Sequence, residues 1–378
     1  MAYPGTQPPG ADALIDARWR LGDEDPWATP RPPVSSRVPV LNIVLFLITL
    51  LTTTMAGANV VALGINPLTN PGALVAGLPF AATLMSILLV HELGHYVMSR
   101  VHGVRASLPY FIPGPPLLVG TFGAFIRMKS PPINRRALFD VGAAGPWAGV
   151  LLAIPAVIIG LHLSEVRPLE PLEAGVFFGD SILFSLLTRT VLGVAPSEVT
   201  IILHPVALAG WIGLFVTFLN LIPIGQLDGG HVCYALFGRQ HRVTARVFLL
   251  VIAALGFAGW NGWFLWTFLL LFLGVDHPPT LDTHTTLDPV RRTAAWATLA
   301  LFVLTFIPVP FSIVEPPPSP SAPSPRFDRP QFDGPLTPAS VIAPLGAATE
   351  PCLTRNGDLP AGLVGAWSQP PRQRGVRV

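Results

Sequence analysis

Two histidines four residues apart, with a glutamate beside the first, are the residues of this sequence best suited to chemistry. The motif reads His91-Glu92-Leu93-Gly94-His95. On an α-helix, positions i and i+4 share one face, so His91 and His95 can bind a single metal ion. Glu92 flanks that face and can act on a water molecule as a general base. The motif therefore predicts a hydrolytic metal site with Glu92 as its catalytic group.

A catalytic zinc site of this kind needs one more protein ligand. Zinc in enzymes takes three protein ligands and leaves a fourth position open. Four side chains in apolar surroundings are candidates for the third ligand: Asp228, His204, His231 and His277. Asp228 is favoured because it is the one charged residue between positions 199 and 238. A carboxylate is costly to place in a bilayer, so its presence there indicates a function.

The composition indicates a membrane setting for these residues. Only 12% of the 378 residues are charged and 51% are hydrophobic, whereas a soluble domain carries about 25% charged residues. This excludes an ordinary soluble enzyme. The formal net charge of +2 is too small for a nucleic-acid surface, so no nucleic-acid partner is expected.

Apolar blocks predict an all-α polytopic membrane protein with six to seven transmembrane helices. A spanning helix needs about 20 apolar residues. The blocks that qualify are 40–63, 77–99, 141–163, 206–232, 247–275 and 293–309. The fifth block is broken into two helices by Gly-Trp-Asn-Gly at 259–262. The segment 178–194 has one apolar face and is expected to lie at the membrane interface.

The prolines divide the chain into a central domain and two tails. Residues 40–310 are expected to form the membrane domain. Residues 1–39 and 311–378 are rich in proline and polar residues, and such segments bury too little apolar surface to fold, so both are predicted to be disordered. No cleaved signal peptide is expected, since no basic stretch runs directly into an apolar core.

Basic residues predict the orientation of the chain in the membrane. Loops rich in arginine and lysine favour the cytoplasmic side. The segment 164–205 contains only Arg167 and Arg189, and most other basic residues outside the C-terminal tail lie in 1–39, 100–140, 239–246 and 291–292. The N-terminus is therefore predicted to be cytoplasmic and 164–205 to lie outside. Arginine bias further suggests a bacterial inner membrane.

The apolar block 206–232 is predicted to be broken near its end. Pro223 removes a backbone donor, and the glycines at 225, 229 and 230 loosen the helix. Irregular backbone in a membrane is tolerated only where protein or a wet cavity surrounds it. In the predicted orientation, His91, His95 and Asp228 all fall near the inner ends of their spans, which places them at one depth.

Together these motifs resemble the site-2 proteases, a family of intramembrane zinc metalloproteases. The resemblance covers about residues 40–310 and fits a compact form without an evident PDZ domain. The motifs that carry it, in chain order, are His91 to His95, Gly120-Thr121-Phe122-Gly123-Ala124-Phe125-Ile126, Asp140-Val141-Gly142-Ala143-Ala144-Gly145-Pro146, Asn220-x-x-Pro223 and Leu227-Asp228-Gly229-Gly230.

The resemblance implies one zinc ion per chain, bound by His91, His95 and Asp228, with Glu92 as general base. It also implies that Asn220 holds the substrate or the developing oxyanion. The substrate would be a membrane protein with a single transmembrane helix, cleaved within the lipid bilayer.

A small β-hairpin is predicted between the second and third apolar blocks, either re-entrant or cytoplasmic. Residues 118–129 combine β-favouring residues with glycine and are typical of a strand edge. An edge strand can pair with an unwound peptide, so Gly123 and Ala124 are predicted to bind substrate. Gly142, Gly145 and Gly149 are interpreted as positions of close helix packing.

Two other functions remain open from the sequence. An inactive relative would bind membrane helices without cutting them. An ion or metal transporter would use Glu92 and Asp228 as a relay, although the paired, internally repeated halves of many transporters are not evident.

Overall fold

Apolar helices make up most of the described structure. The computed structural model describes residues 39–61, 72–117, 119–168, 175–314 and 376–377. The helices of these parts are α1 Val40–Val61, α2 Gly72–Val101, α3 Arg135–His162, α4 Ile182–Leu192, α5 Pro205–Asn220, α6 Asp228–Phe237, α7 His241–Ala258, α8 Gly262–Leu273 and α9 Pro289–Thr305. The strands are β1 Tyr110–Pro113, β2 Thr121–Phe125, β3 Glu165–Pro168, β4 Gly175–Phe178, β5 Val199–Ile202, β6 Phe311–Val314 and β7 Val376–Arg377.

Four helical stretches in the described ranges are long and apolar enough to cross a bilayer, and the chain is an integral membrane protein. They are Val40–Val60, Gly72–Val101, Arg135–His162 and Asp228–Ala258. The predicted six to seven spans are not confirmed by this count. Helix α5 has 16 residues and α8 has 12, which is short for a hydrocarbon core about 30 Å thick.

Helices α2, α3 and α5 form the centre of the bundle. Small residues bring their backbones together: a side chain at Gly160 of α3 would overlap Ala207 of α5, and Gly210 lies against Val157. In contrast, α7 and α8 expose large apolar side chains such as Leu250 and Phe268. Such an exposed apolar surface suits contact with lipid.

The predicted hairpin is confirmed between α2 and α3. Strands β1 and β2 are antiparallel, with Phe111 opposite Ala124. Helix α1 holds the hairpin through side chains: the Asn42 amide donates to the carbonyl of Pro109 at 2.8 Å, and the Thr52 hydroxyl donates to that of Gly120 at 2.6 Å. The hairpin is therefore fixed to the bundle.

A second sheet, which the all-α prediction lacked, forms at the other end of α3. Its strand order is β3-β5-β7-β4-β6, with β4 antiparallel to β6. Each of these strands has four residues or fewer, too short for a clear alternating pattern. Strand β6 also extends the ordered structure four residues past the predicted boundary at 310. The rest of that tail, except Val376–Arg377, and residues 1–38 lie outside the described residues.

The predicted helix breaks are confirmed. Helix α5 ends at Asn220 and α6 begins at Asp228, while α7 and α8 are separated at residues 259–261. The predicted interfacial segment forms α4, Ile182–Leu192.

Candidate metal centre

The two histidines of the motif meet on the buried face of α2. His91 is 3% exposed and His95 is 6% exposed. Their Nε2 atoms lie 3.2 Å apart, and the ring centroids are separated by 4.9 Å. This is the juxtaposition that the i, i+4 spacing predicts.

Asp228 completes a triangle of ligand atoms. Its Oδ2 lies 3.3 Å from Nε2 of His91 and 3.2 Å from Nε2 of His95. Ligand atoms on a tetrahedral zinc ion, with bonds of about 2.0–2.1 Å, lie roughly 3.3 Å apart. The donor set and its spacing therefore fit zinc. Within the described ranges, this is the one group of three or more such residues whose ligand atoms all lie within 4.8 Å.

A tightly folded connection between α5 and α6 delivers Asp228 to the histidines. Gly225 has φ +56°, and its N–H donates to the carbonyl of Val275 at 3.0 Å. A side chain at Gly229 would overlap the carbonyl of Leu221, and one at Gly230 would overlap that of Gly225. The Gly-Gly pair after Asp228 thus lets α6 begin directly against the connection.

Helix α3 orients the histidine rings. The carbonyl of Val141 lies 2.7 Å from Nδ1 of His95. Because a carbonyl only accepts, Nδ1 carries the proton and Nε2 presents its lone pair, the usual arrangement of a metal-binding histidine. A Cβ at Gly145 would overlap the His95 ring, and one at Gly149 would lie 3.1 Å from Nδ1 of His91. These glycines pack against the ligands themselves, a role that their regular spacing could have suggested.

Asn220, the last residue of α5, also reaches the centre. Its amide nitrogen lies 3.2 Å from Nε2 of His91. The structure therefore brings together Asn220 and the three predicted ligands.

Glu92 is 5% exposed, and the backbone N–H of Ile126 lies close to its carboxylate. Ile126 directly follows β2, so the hairpin contacts the predicted base. Sequence reasoning could not find this contact because every residue type except proline offers the same N–H.

The two hairpin residues predicted to bind substrate differ in their backbone. The N–H of Gly123 already donates to the Thr121 hydroxyl at 2.9 Å, and Gly123 has φ +101°. This donor is therefore not free for a peptide. Ala124 lies in the paired register of β2.

The other candidates for the third ligand lie elsewhere. His204 caps α5, with its Nδ1 accepting from the N–H of Val206. His231 and His277 are hydrogen bonded to each other. None of the three belongs to the ligand triangle.

A buried His-Glu-x-x-His helix, with an aspartate from a broken apolar helix beside it, is an arrangement typical of a metallopeptidase centre. Residues 79–258 match the model described as Peptidase family M50. This family is the site-2 protease family, so the match, which covers just under half of the chain, agrees with the resemblance seen in its motifs.

Plant proteins are among its relatives. The chain is 35% identical to "Probable zinc metalloprotease EGY1, chloroplastic" of Arabidopsis thaliana over 243 residues, 62% of this chain and 43% of that protein. It is 33% identical to "Probable zinc metalloprotease EGY2, chloroplastic" of the same plant over 241 residues, 62% of this chain and 42% of that protein. The chain thus spans less than half the length of these relatives.

Proposed function

We propose that the protein is an intramembrane zinc metalloendopeptidase. The observation that carries this proposal is the triangle of His91, His95 and Asp228 atoms, 3.2–3.3 Å apart, with Glu92 beside it. The names of the EGY relatives, which include zinc metalloprotease, support the same activity.

His91, His95 and Asp228 would hold one zinc ion per chain. When bound, zinc supplies Lewis-acid activation of water and of the peptide carbonyl at neutral pH. The proton of Nδ1 of His95, held by the carbonyl of Val141, keeps the opposite ring nitrogen available as a ligand.

Glu92 would act as the general base and then as the acid. Its carboxylate takes a proton from the attacking water as the water oxygen bonds to the peptide carbon. It returns that proton to the nitrogen as the C–N bond breaks, so that the amine leaves neutral. The amide of Asn220, at the edge of the centre, would donate a hydrogen bond to the substrate or its developing oxyanion.

The substrate would be a membrane protein with a single transmembrane helix, partly unwound at the site. A helix hides its peptide bonds, so cleavage needs an extended segment. Strand β2, which contains Gly123 and Ala124, would offer an edge for such a segment.

The membrane arrangement forms part of the proposal. We propose six to seven crossings, including the shorter α5, α8 and α9, with the N-terminus cytoplasmic. The asymmetry of basic residues supports this orientation. A bacterial inner membrane is proposed from the arginine bias, in which Lys129 is the one lysine of the chain. The EGY relatives are named chloroplastic, so membrane fractionation of the source cells is the direct test.

The deciding experiment measures zinc content and cleavage on the same purified samples. Glu92→Gln keeps the shape of the side chain but cannot accept a proton, so zinc should remain while cleavage falls by about 10²-fold or more. His91→Ala, His95→Ala and Asp228→Ala should each lose the zinc of this centre. Wild-type cleavage by Glu92→Gln would contradict the mechanism. Zinc binding without cleavage by the wild type, over a panel of membrane substrates, would indicate an inactive relative.

A further inference from the structure

Three buried histidines form a second cluster, separate from the metal centre. His231 lies on α6, His241 is the first residue of α7, and His277 lies between α8 and α9. They are 6%, 1% and 8% exposed, respectively. We call them the histidine cluster. The mechanism proposed above uses none of them.

Two members of the cluster are spaced like the pair at the metal centre. Nδ1 of His231 lies 2.7 Å from Nε2 of His277, and the ring centroids are 4.9 Å apart. The rings of His91 and His95 have the same centroid separation. Since Nε2 of His277 accepts in this contact, Nδ1 of His231 carries the shared proton. For both nitrogens to bind one ion, the rings would move slightly apart and His231 would take its other neutral tautomer, with the proton on Nε2.

The protonation of His277 also suits a ligand. Its Nδ1 lies 2.5 Å from the carbonyl of Pro278, which only accepts, so Nδ1 carries the proton and Nε2 has a lone pair. The Val141 carbonyl fixes His95 in the same way.

The third member, His241, has a buried ring whose nitrogens no hydrogen bond among the described residues accounts for. Both ring nitrogens of His241 are buried, and neither has a hydrogen-bond partner among the described residues. Leaving a buried polar group in this state destabilises a fold, and a bound ion is one of the ordinary explanations of such a group. The His241 ring centroid lies 6.0 Å from that of His277, slightly wider than a bonded pair.

We propose that His231, His241 and His277 bind a second divalent transition-metal ion. Zinc suits a site of imidazoles alone. His231 and His277 already converge, and the unpartnered His241 ring would close on them by turning about its side-chain torsions. The ion would join α6, α7 and the segment after α8, one helical turn beyond Asp228. The proposal does not depend on peptide cleavage.

The test separates the two sites by removing the first one. Full-length protein without a polyhistidine tag is held in detergent, dialysed against buffered free zinc, and analysed for metal by mass spectrometry. The wild type should hold two zinc ions per chain, and His91→Ala/His95→Ala should retain one. Adding His241→Phe to that double variant should remove the remaining ion. His284→Ala, an exposed histidine of the same segment as His277, is the matched control and should change nothing.

Thermal unfolding provides the second measurement. Phenylalanine at 241 keeps a ring beside Tyr234 and removes two unpartnered nitrogens, so metal-free His241→Phe should be as stable as its parent or more stable. Zinc should raise the melting temperature of the His91→Ala/His95→Ala protein but not that of the same protein with His241→Phe. If His91→Ala/His95→Ala holds no zinc, the second site does not exist. This conclusion does not depend on whether Glu92→Gln cleaves substrate. A lower metal-free melting temperature for His241→Phe would show that protein contacts hold His241, and would also overturn the proposal.

Discussion

The backbone N–H of Ile126 lies close to the Glu92 carboxylate. Ile126 is the residue after β2, the strand proposed to pair with substrate. The same short segment would thus offer one edge to a peptide and one backbone donor to the proposed general base. A substrate that pairs with β2 would fix the position of this donor as well.

This contact predicts that proline at position 126 impairs chemistry more than metal binding. Ile126→Pro removes the N–H, and a hydrogen bond to a charged group is worth about 1.5–3 kcal/mol. We expect cleavage to fall by about 10- to 100-fold while zinc content stays unchanged. Turnover under saturating substrate, with metal analysis of the same sample, measures both.

Ile126→Ala is the control for this experiment, since it shortens the side chain and keeps the N–H. It should cleave within a few-fold of wild type. Equal losses in the two variants would assign the effect to the side chain and remove the role given to the backbone.

The glycines of α3 predict a graded loss of zinc affinity. A methyl group at Gly145 would overlap the His95 ring, whereas one at Gly149 would meet Nδ1 of His91 at 3.1 Å. Gly145→Ala should therefore weaken zinc binding at the metal centre far more than Gly149→Ala. Zinc titrations in the His241→Phe background measure this site alone. Wild-type affinity in Gly145→Ala would mean that α3 moves aside without disturbing its ligands.

Asp180, between β4 and α4, predicts a pH-dependent change in stability. Burial raises its pKa to about 6, and its Oδ1 has no hydrogen-bond partner among the described residues. Below about pH 3 the carboxyl is mostly neutral in both the folded and unfolded protein. Above pH 6 it is ionised in both, and burial then destabilises the fold by about 2–3 kcal/mol.

Asp180→Asn should accordingly raise the melting temperature at pH 8 and leave it nearly unchanged near pH 3. Asp288→Asn is the opposite case, because the backbone N–H and guanidinium of Arg291 lower the pKa of Asp288 to about 2. That variant should lower the melting temperature at pH 8. A stability gain for Asp180→Asn that is equal at both pH values would exclude ionisation as its cause.

Reporter fusions test the proposed orientation. Fusions after residue 120 should report the cytoplasm, and fusions after residues 185 and 320 should report the opposite side. A cytoplasmic signal at 185 would contradict the orientation derived from the basic residues.

The sequence predicted the metal centre more fully than the rest of the site. The spacing of His91 and His95 follows from helix geometry alone, and Asp228 is distinguished by its charge in an apolar block. Pro223 and the glycines that follow it predict the break before Asp228. Each of these predictions depends only on residues that are near in sequence, and the corresponding feature is present in the folded chain.

The remaining parts depend on contacts between distant segments. The Ile126 N–H and the Val141 carbonyl have no residue-specific signature. Strands β3 to β7 are short, and nothing in their own sequences selects their partners. By sequence, His231 and His277 are each a candidate for the third ligand of the first centre. Only the folded backbone shows that they face each other.

Strand β6 pairs with β4 so that Phe311 stands opposite Phe178. Strand β4 is synthesised before α5, whereas β6 emerges after α9. The edge of β4 that pairs with β6 therefore stays unpaired until the helices between the two strands have been placed in the membrane. Closure of such a long loop is slow and entropically costly. The pairing is thus a late step of biogenesis, and its completion marks a chain whose described helices have all been inserted.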